Sequence, residues 1–488
     1  MIRLRYGFLV VFFLVPSAYV NAQDKSSSKD KPPSPWVLDR SMTVSASAAS
    51  VPALKYRLLP ISSELKEGNA VPIYLRLVHE QSDAARKYWF ETPIAWNSMP
   101  IDKIPLDEAD KFLQRMSYQL KQLEFGARRR TAEWNYTLEI ENPIALLLPD
   151  AQSMRSYAPM LNLQARVAIA KGDFNAAARH LETGFAFSRH VADGPTLINR
   201  LVGIALTMQF AATVGDLIER PDSPNLYWSL TALPRPMIDL RSAIEWEYRM
   251  LEMLIPELDD LDRERTPEQW AGVLRRYRTT IQELAYVGSR EEKKLQDWFP
   301  KDYNPDVPAA KSPDLPAARK FVARTKHLTA EQLEAKPPAQ VLLLYTLGTY
   351  QEYRDAAFRY IYLPPAESIA SLLASDKQLF AAPVSEGQVA ARLFLPALNR
   401  VVLAQSRLDR NLAALRIVEA LRIYAASHDG GLPEKLSEVT EVPIPEDPGT
   451  GKPFDYSRDG DAATLSARTI ADSLPNNGVR YRVTMRKK

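Results

Sequence analysis

The clearest pattern in the chain lies between residues 157 and 189, where apolar residues recur at three- and four-residue steps. Such steps place side chains on one face of a helix. Gly172 and Asp173 divide the pattern, because Gly tolerates a left-handed helix end and Asp can cap the next helix. The two stripes consist of Leu161, Ala165 and Ala168, and of Phe174, Ala177, Leu181 and Gly184. The small residues among them predict two closely packed antiparallel helices.

Similar apolar stripes predict helices along most of the chain. The predicted helices span residues 107–134, 197–218, 237–255, 267–286, 317–327, 341–362, 368–380 and 397–427. Proline-rich stretches at 221–236 and 299–316 separate several of them. In the last helix, Leu408, Leu412, Leu415, Val418 and Leu421 form the apolar stripe, and Arg407, Arg410, Arg416 and Arg422 fall largely outside it. The predicted fold is mainly α, a repeat-like array of helical hairpins.

The pattern changes at the two ends of the chain. Residues 23–50 begin with a Lys-, Ser- and Pro-rich stretch, which predicts a disordered linker. After Gly430, alternating apolar and polar residues predict a strand at 479–486, and Asn477 with Gly478 is typical of a hairpin turn. We therefore expect residues 396–488 to form a long helix with a small antiparallel sheet, and 397–488 to fold as one unit.

The hairpin resembles a known repeat family. The run Gly172-Asp173-Phe174-x-x-Ala177, with Leu181 and Gly184 after it, resembles the hinge and second helix of a tetratricopeptide repeat. The resemblance covers one repeat, about residues 157–190, and implies a tetratricopeptide-like domain over 51–395. Leu161 and Arg189 stand where the family prefers Trp and Pro. A generic helical hairpin would use similar residues, so that alternative stays open.

A second resemblance covers about residues 410–467. It is carried by Tyr424, His428-Asp429-Gly430-Gly431-Leu432-Pro433, Pro445-x-Asp447-Pro448, Gly451-Lys452-Pro453-Phe454 and Tyr456. These residues resemble the helix-to-sheet part of bacterial type II secretion pseudopilins. Pseudopilins open with a methylated hydrophobic helix, which this sequence does not predict, and their calcium loop is not matched. The alternatives are a borrowed α+β module and a turn-rich tail that is similar by coincidence.

The N-terminal residues predict export. Arg3 and Arg5 precede a short apolar run at 8–15, and Val20-Asn21-Ala22 fits a signal-peptidase site. We predict a signal peptide at 1–22 and mature protein that begins at Gln23. The apolar run is short for a membrane span, so we expect no stable span after cleavage. The alternative is an uncleaved inner-membrane anchor at residues 6–20.

Composition narrows the function classes. The 488 residues contain no Cys, so the chain has no disulfides, thiolate metal sites or Cys catalysis. The formal net charge is only +3, so we expect no nucleic-acid surface. We place the protein in the periplasm or outside the cell of a bacterium.

Each candidate for chemistry has a simpler explanation. Gly449-Thr450-Gly451-Lys452 lacks the first Gly of a phosphate loop, and Pro453 follows, so it predicts a turn. None of the five His residues (79, 180, 190, 327 and 428) has a partner at metal-ligand spacing along a helix. Ser289 lacks the second Gly of a nucleophile elbow, and the acidic stretch at 259–264 is typical of a solvated turn. We predict no catalytic, cofactor-binding or metal-binding residue.

The favoured hypothesis is a non-enzymatic exported binding or scaffold protein of the cell envelope, with a helical groove for a peptide or protein. One alternative is an envelope enzyme, hydrolase-like, whose carboxylates come from separate helices. Such a site would show two facing carboxylates with raised pKa values in a pocket. Another alternative is a component associated with a secretion system.

Overall fold

The computed structural model describes residues 36–79, 91–134, 153–288, 299, 304–381, 384–470 and 477–487. Helices account for 61% of the structure, and a small sheet of four strands packs beside them. The predicted fold class, mainly α with a small α+β module, is confirmed. The signal peptide predicted at 1–22 and the linker residues 23–35 lie outside the described residues.

Helices occupy most of the described residues, and the short described strands lie before residue 132 and after residue 454. The α-helices are α1 (Val71–His79), α2 (Leu106–Arg115), α3 (Ser117–Ala127), α4 (Ala158–Ala170), α5 (Phe174–Ala192), α6 (Leu197–Ile218), α7 (Tyr227–Thr231), α8 (Arg241–Tyr248), α9 (Met250–Leu254), α10 (Pro267–Gly288), α11 (Leu315–Lys326), α12 (Ala330–Glu334), α13 (Pro338–Phe358), α14 (Pro365–Ala381) and α15 (Val389–Ser427). The strands are β1 (Trp36–Val44), β2 (Lys66–Asn69), β3 (Arg129–Thr131), β4 (Asp455–Asp459), β5 (Ala462–Ala467) and β6 (Gly478–Met485).

The helical hairpin forms where the sequence predicts it, as α4 and α5. Gly172 adopts a φ of 72° between the helices, and the Asp173 carboxylate accepts a hydrogen bond from the Ala176 amide at 2.9 Å. Gly184 allows α5 and α6 to pack closely, because a β-carbon at this position would lie only 2.4 Å from the Phe210 ring in α6. The small residues of α5 therefore allow close packing on both sides. The tetratricopeptide-like character of this hairpin stays a prediction.

Helix α6 lies in the core, against α4, α5 and α15. It is buried on most of its surface, and its first turn is closed by a capping box between Thr196 and Asn199. In the part of the chain that the structure describes, only α6 is long and apolar enough to cross a bilayer, and 67% of its most apolar window is buried.

Helix α15 is the longest element, with 39 residues. The predicted start at residue 397 is wrong: the helix begins at Val389 and continues through Pro396. Leu393, Leu395 and Leu398 are buried on either side of this proline, so tertiary packing overrides its low helix propensity. The helix then runs past α6, α7, α13, α14 and the sheet.

The four-stranded sheet has the order β1-β6-β5-β4. Strands β4, β5 and β6 are antiparallel as predicted, but β1 pairs with β6 in parallel. The predicted linker is therefore wrong for residues 36–44. The buried Met42 and Val44 alternate with the exposed Ser41 and Thr43. This alternation is that of a half-buried strand. The sheet thus does not come from residues 397–488 alone.

A second, two-stranded sheet joins β2 and β3 in parallel, near α1 and α3. Next to this sheet the Asn69 side chain donates to the Glu133 carbonyl at 2.8 Å and accepts from the Glu133 amide at 2.9 Å. The sequence pattern does not predict this pair, because both strands are very short and mostly polar.

Candidate functional site

A cleft of about 390 Å³ lies between α13 and α14, and we call it the α13–α14 cleft. Helix α13 supplies one wall, because residues at three- and four-residue steps face the same way. The other walls come from the C-terminal part of α14, from Phe321 in α11 and from the region where α15 begins. The lining residues are Phe321, Tyr345, Thr349, Glu352, Tyr353, Ala356, Ala357, Ser375, Asp376, Gln378, Leu379, Gln388 and Leu395.

Two glycines shape the aromatic wall of the cleft. A β-carbon at Gly348 would lie 2.7 Å from the Phe321 ring, and one at Gly387 would lie 2.7 Å from the Tyr345 ring. Their lack of a side chain lets both rings lie directly against the backbone. The two rings are 5.4 Å apart between centroids in an edge-to-face arrangement, which is a favourable geometry for aromatic pairs.

The segment between α14 and α15 is held by a buried ion pair. Arg278 in α10 donates to both carboxylate oxygens of Glu386, at 2.6 and 2.9 Å, and both side chains are almost fully buried. The Asp314 carboxylate accepts a hydrogen bond from the Glu386 amide at 2.6 Å. Because Gln388 lines the cleft two residues after Glu386, the ion pair fixes this edge of the cleft.

The polar groups in the cleft are incompletely paired. The Tyr345 and Ser385 hydroxyls are 3.2 Å apart, and the Gln388 amide nitrogen donates to the Tyr353 hydroxyl at 3.4 Å. Thr349 is only 8% exposed, and its hydroxyl oxygen has no partner among the described residues; the same holds for the Gln388 side-chain oxygen. Buried polar atoms are normally hydrogen-bonded, so these two oxygens are exceptions, and both have almost no accessible surface.

Two carboxylates line the cleft in different environments. Burial raises the pKa of Asp376, and a hydrogen bond from Asn399 and the charge of Arg400 only partly oppose that effect. Glu352 lies at the rim, where its carboxylate is 3.3 Å from the Arg324 guanidinium. The side chains of that rim pair are 68% and 56% exposed, so the pair is well solvated.

A second depression of about 410 Å³ lies on the opposite side of α13, beside α8. It is lined by Ile244, Glu245, Tyr248, Arg249, Asp355, Phe358, Arg359 and Tyr362. Beneath it the buried Arg354 guanidinium stacks 3.3 Å from the Tyr248 ring centroid and donates to the Tyr248 carbonyl at 2.7 Å. Its charged groups are of both signs and solvated, so it is a less selective surface than the α13–α14 cleft.

Three arginines of α15, Arg410, Arg416 and Arg422, are buried, although they lie largely outside its apolar stripe. Arg410 binds both oxygens of Asp447, at 2.8 and 3.1 Å, and so fixes the turn at 447–452. Arg422 binds Glu419 at 2.9 Å and donates to the Ser45 and Ser223 carbonyls. These pairs join residues 430–488, which we call the tail, and the N-terminal strand β1 to α15. They line neither the α13–α14 cleft nor the second depression.

Two acidic groups outside the clefts have strongly raised pKa values. Burial raises the pKa of Glu247 and of Asp409 to about 7 in each case. Glu247 accepts from the Leu197 amide at 3.3 Å, and Asp409 from the Met237 amide at 3.0 Å. Each carboxylate fixes a neighbouring backbone turn, so we assign both a structural role.

The residues that the sequence singled out do not converge on a site. The segment at 449–452 forms the predicted turn, in which the Asp447 carboxylate accepts from the Gly449 amide and the Thr450 hydroxyl. Burial lowers the pKa of both His180 and His190 to about 4. Within the described ranges, no group of three or more His, Asp and Glu residues is placed to hold a metal ion. Ser289 lies outside the described residues.

The α13–α14 cleft cannot be recognised from the sequence. Thr349 and Asp376 lie on different helices, and only the packing of those helices brings them to one cavity. One signal was present: Tyr345, Thr349, Glu352 and Tyr353 carry polar atoms and share one face of α13 at helical spacing. No known protein family matches the chain, and no curated protein or solved structure is similar to it.

Proposed function

We propose that the protein is a non-enzymatic binding protein of the cell envelope, which holds a peptide or protein segment in the α13–α14 cleft. The observation that carries the proposal is the lining of this cleft. Aromatic rings form part of its walls, and Ser375, Asp376 and Gln378 add polar groups to the lining. Largely apolar walls with a few polar groups are what ligand sites have in common.

The size of the cleft limits what it can hold. A volume of about 390 Å³ is near the lower end of the range for ligand sites. That volume suits one or two amino-acid side chains, or a small molecule, rather than a folded domain. A peptide would therefore be anchored in the cleft by a side chain, while its backbone lay across the solvent-exposed ends of α13 and α14.

Binding is better supported than catalysis. A carboxylate-dependent hydrolase encloses two facing carboxylates and sets their pKa values apart. The cleft meets this only in part, because burial raises the pKa of Asp376 but Glu352 is exposed at the solvated rim and paired with Arg324, so the cleft does not enclose both carboxylates. Asp409 and Glu247 have pKa values of about 7, but they bind backbone amides elsewhere. The hypothesis of a secretion-system component rests on the resemblance of the tail alone.

Export remains part of the proposal. It is supported by the basic and apolar residues before Gln23 and by the lack of any Cys in the chain. The buried ion pairs at Arg278, Arg410 and Arg422 are compatible with a protein that holds its loops together without disulfides.

A peptide library displayed on phage would test the function. We expect panning on the mature protein to enrich peptides that share one anchor residue. Ala356→Trp should abolish their binding, because Ala356 is half-buried in the lining and a Trp ring would fill the cleft without entering the core.

The matched control is Ala370→Trp, which adds the same ring to an exposed position of α14 outside the lining. This variant should bind the selected peptides like the wild type. Enriched peptides that bind Ala356→Trp as well as the wild type would contradict the assignment of the cleft. A library without enrichment over several rounds would contradict the function itself.

A further inference from the structure

The second depression, beside α8 and the end of α13, carries exposed aromatic side chains. Tyr248 and Tyr362 both line it, and they are 40% and 59% exposed. Among the described residues, no aromatic side chain is more exposed than Tyr362, and the exposed Leu363 follows it directly. Single exposed apolar residues are common on protein surfaces. Several that adjoin one depression form a patch, and such patches mark interaction sites.

The ring of Tyr248 is held in place although it is exposed. The Arg354 guanidinium lies 3.3 Å from the ring centroid and donates to the Tyr248 carbonyl at 2.7 Å. The side chain of Arg354 is only 3% exposed, so the ring rests on a fixed, buried group. A ring that is already fixed loses little conformational entropy when a partner covers it. Tyr and Arg are also the residues that contribute most often to binding at protein interfaces.

The charges of the depression have the same arrangement on both helices. Glu245 stands four residues before Arg249 on α8, and Asp355 stands four residues before Arg359 at the end of α13. An acid four residues before a base favours an ion pair within one helix. In the described part of the chain, neither set forms that pair within 4.0 Å. The acids and bases of this surface are therefore not paired with each other.

The two charges on α13 remain accessible. Asp355 lies 3.1 Å from Arg354, but its side chain is 56% exposed. Arg359 is exposed and donates to the Tyr360 hydroxyl at 3.1 Å. In a two-fold interface, each contact between two positions occurs twice, because each copy contributes both positions. An axis across α13 between Asp355 and Arg359 would therefore place each acid opposite the base of a second copy, so this surface is complementary to itself.

We propose that the second depression is the contact surface of a homodimer, in which the C-terminal ends of α13 from two copies pack antiparallel around a two-fold axis. Asp355 of each copy pairs with Arg359 of the other copy. The exposed Tyr362 of each copy fills the depression of the other. Because the α13–α14 cleft lies on the opposite side of α13, both clefts stay open in the dimer. The inference does not rest on the proposed function of that cleft.

Sedimentation velocity of the mature protein over a range of concentrations would test the dimer, and two charge reversals would test its surface. Asp355→Arg and Arg359→Glu each place like charges opposite one another, so each should weaken self-association by at least about tenfold. An equimolar mixture of the two variants should form a heterodimer, because every acid then faces a base. A variant that had lost its fold could not be restored by mixing.

The matched control is Arg115→Glu, which reverses the charge of an exposed arginine on α2, outside the depression. It should dimerise like the wild type. Tyr362→Ala should weaken the dimer by at least about tenfold without any change of charge, because it removes an aromatic anchor. Thermal melts would show that all four variants are folded.

Three results would overturn the proposal. The first is a wild type that stays monomeric at every concentration. The second is a dimer that both charge reversals leave intact, and the third is a mixture that does not form the heterodimer. A monomeric wild type whose library peptides were lost on Tyr362→Ala, and not on Ala356→Trp, would assign the depression to a peptide instead of a second copy.

Discussion

Substitution of Arg410 tests which contacts attach the tail to α15. Its side chain is fully buried in α15, and Asp447 is 1% exposed. The guanidinium donates to both oxygens of Asp447, at 2.8 and 3.1 Å, and to the carbonyls of Asn477 and Arg468, both at 2.6 Å. Arg410→Met keeps much of the side-chain length and removes all four hydrogen bonds.

The expected cost follows from what the substitution leaves behind. Removing one partner of a buried ion pair costs about 3–5 kcal/mol, because the other charge stays buried. Asp447 would keep the Gly449 amide at 3.0 Å and the Thr450 hydroxyl at 2.9 Å as donors. We therefore expect the free energy of unfolding to fall by about 3 kcal/mol, at the lower end of that range.

Urea denaturation followed by circular dichroism would measure the loss, and hydrogen exchange would locate it. We expect the largest loss of protection at residues 445–452 and 477–479. In the double variant Arg410→Met/Asp447→Asn, no buried charge remains uncompensated, and the amide oxygen can still accept from the turn. The double variant should therefore lose less stability than the sum of the single variants.

Arg482→Met is the matched control. Arg482 pairs with Asp39 at 3.0 Å, but the two side chains are 45% and 27% exposed, so its loss should cost no more than about 1 kcal/mol. A cost for Arg410→Met as small as that of the control would refute the reasoning. So would strictly additive single and double variants, since they would show that the two side chains are not energetically coupled.

Other parts of the chain can be tested in the same way. N-terminal sequencing of the exported protein should begin at Gln23, and an intact N-terminus would support the membrane anchor instead. Ala177→Leu should overpack the buried face of α5 and cost about 1–3 kcal/mol, whereas the exposed Asn175→Leu should leave the melting temperature nearly unchanged. Burial raises the pKa of Asp409 to about 7, so the folded state retains a proton that the unfolded state loses near pH ~3.9. The wild type should therefore lose stability relative to Asp409→Asn as the pH rises from about 4 to about 7, and parallel urea-derived curves would contradict this. Deleting residues 36–44 should expose the edge of β6 to hydrogen exchange, while protection of α4 and α5 should persist.

The parts of the fold that the sequence predicts are those with a local cause. The turn at Gly172 and Asp173 needs only the conformational freedom of one residue and the cap of the next. Strand β6 follows from the alternation of Val479, Tyr481 and Val483, which are buried as that pattern indicates. Periodicity and turn chemistry act over a few residues, so both can be recognised in one sequence.

The parts of the fold that the sequence does not predict depend on contacts between residues far apart in the chain. Strand β1 falls in the predicted linker, because its pairing partner β6 lies at the other end of the chain. Arg410 and Arg422 lie outside the apolar stripe of α15, as expected, yet both are buried because loops fold over them. The shape of the α13–α14 cleft depends on Gly348 and Gly387, which leave room for the rings of Phe321 and Tyr345. This role can be recognised only when the positions of the rings are known.

Strand β1 also determines how the helical part and the tail depend on each other. Asp39 in β1 accepts hydrogen bonds from Arg480, 441 positions later, and the parallel pairing runs along the whole of β1. Arg40 in the same strand binds Asp216 and Glu219 at the end of α6, each at 2.8 Å. One strand therefore joins the core helix to the last strand of the sheet. Pairing at this separation closes a very long loop, which costs conformational entropy, so we expect it to form late in folding. The edge of β6 is covered only when both ends of the chain are in place, so neither the tail nor the helical part buries its surface fully alone.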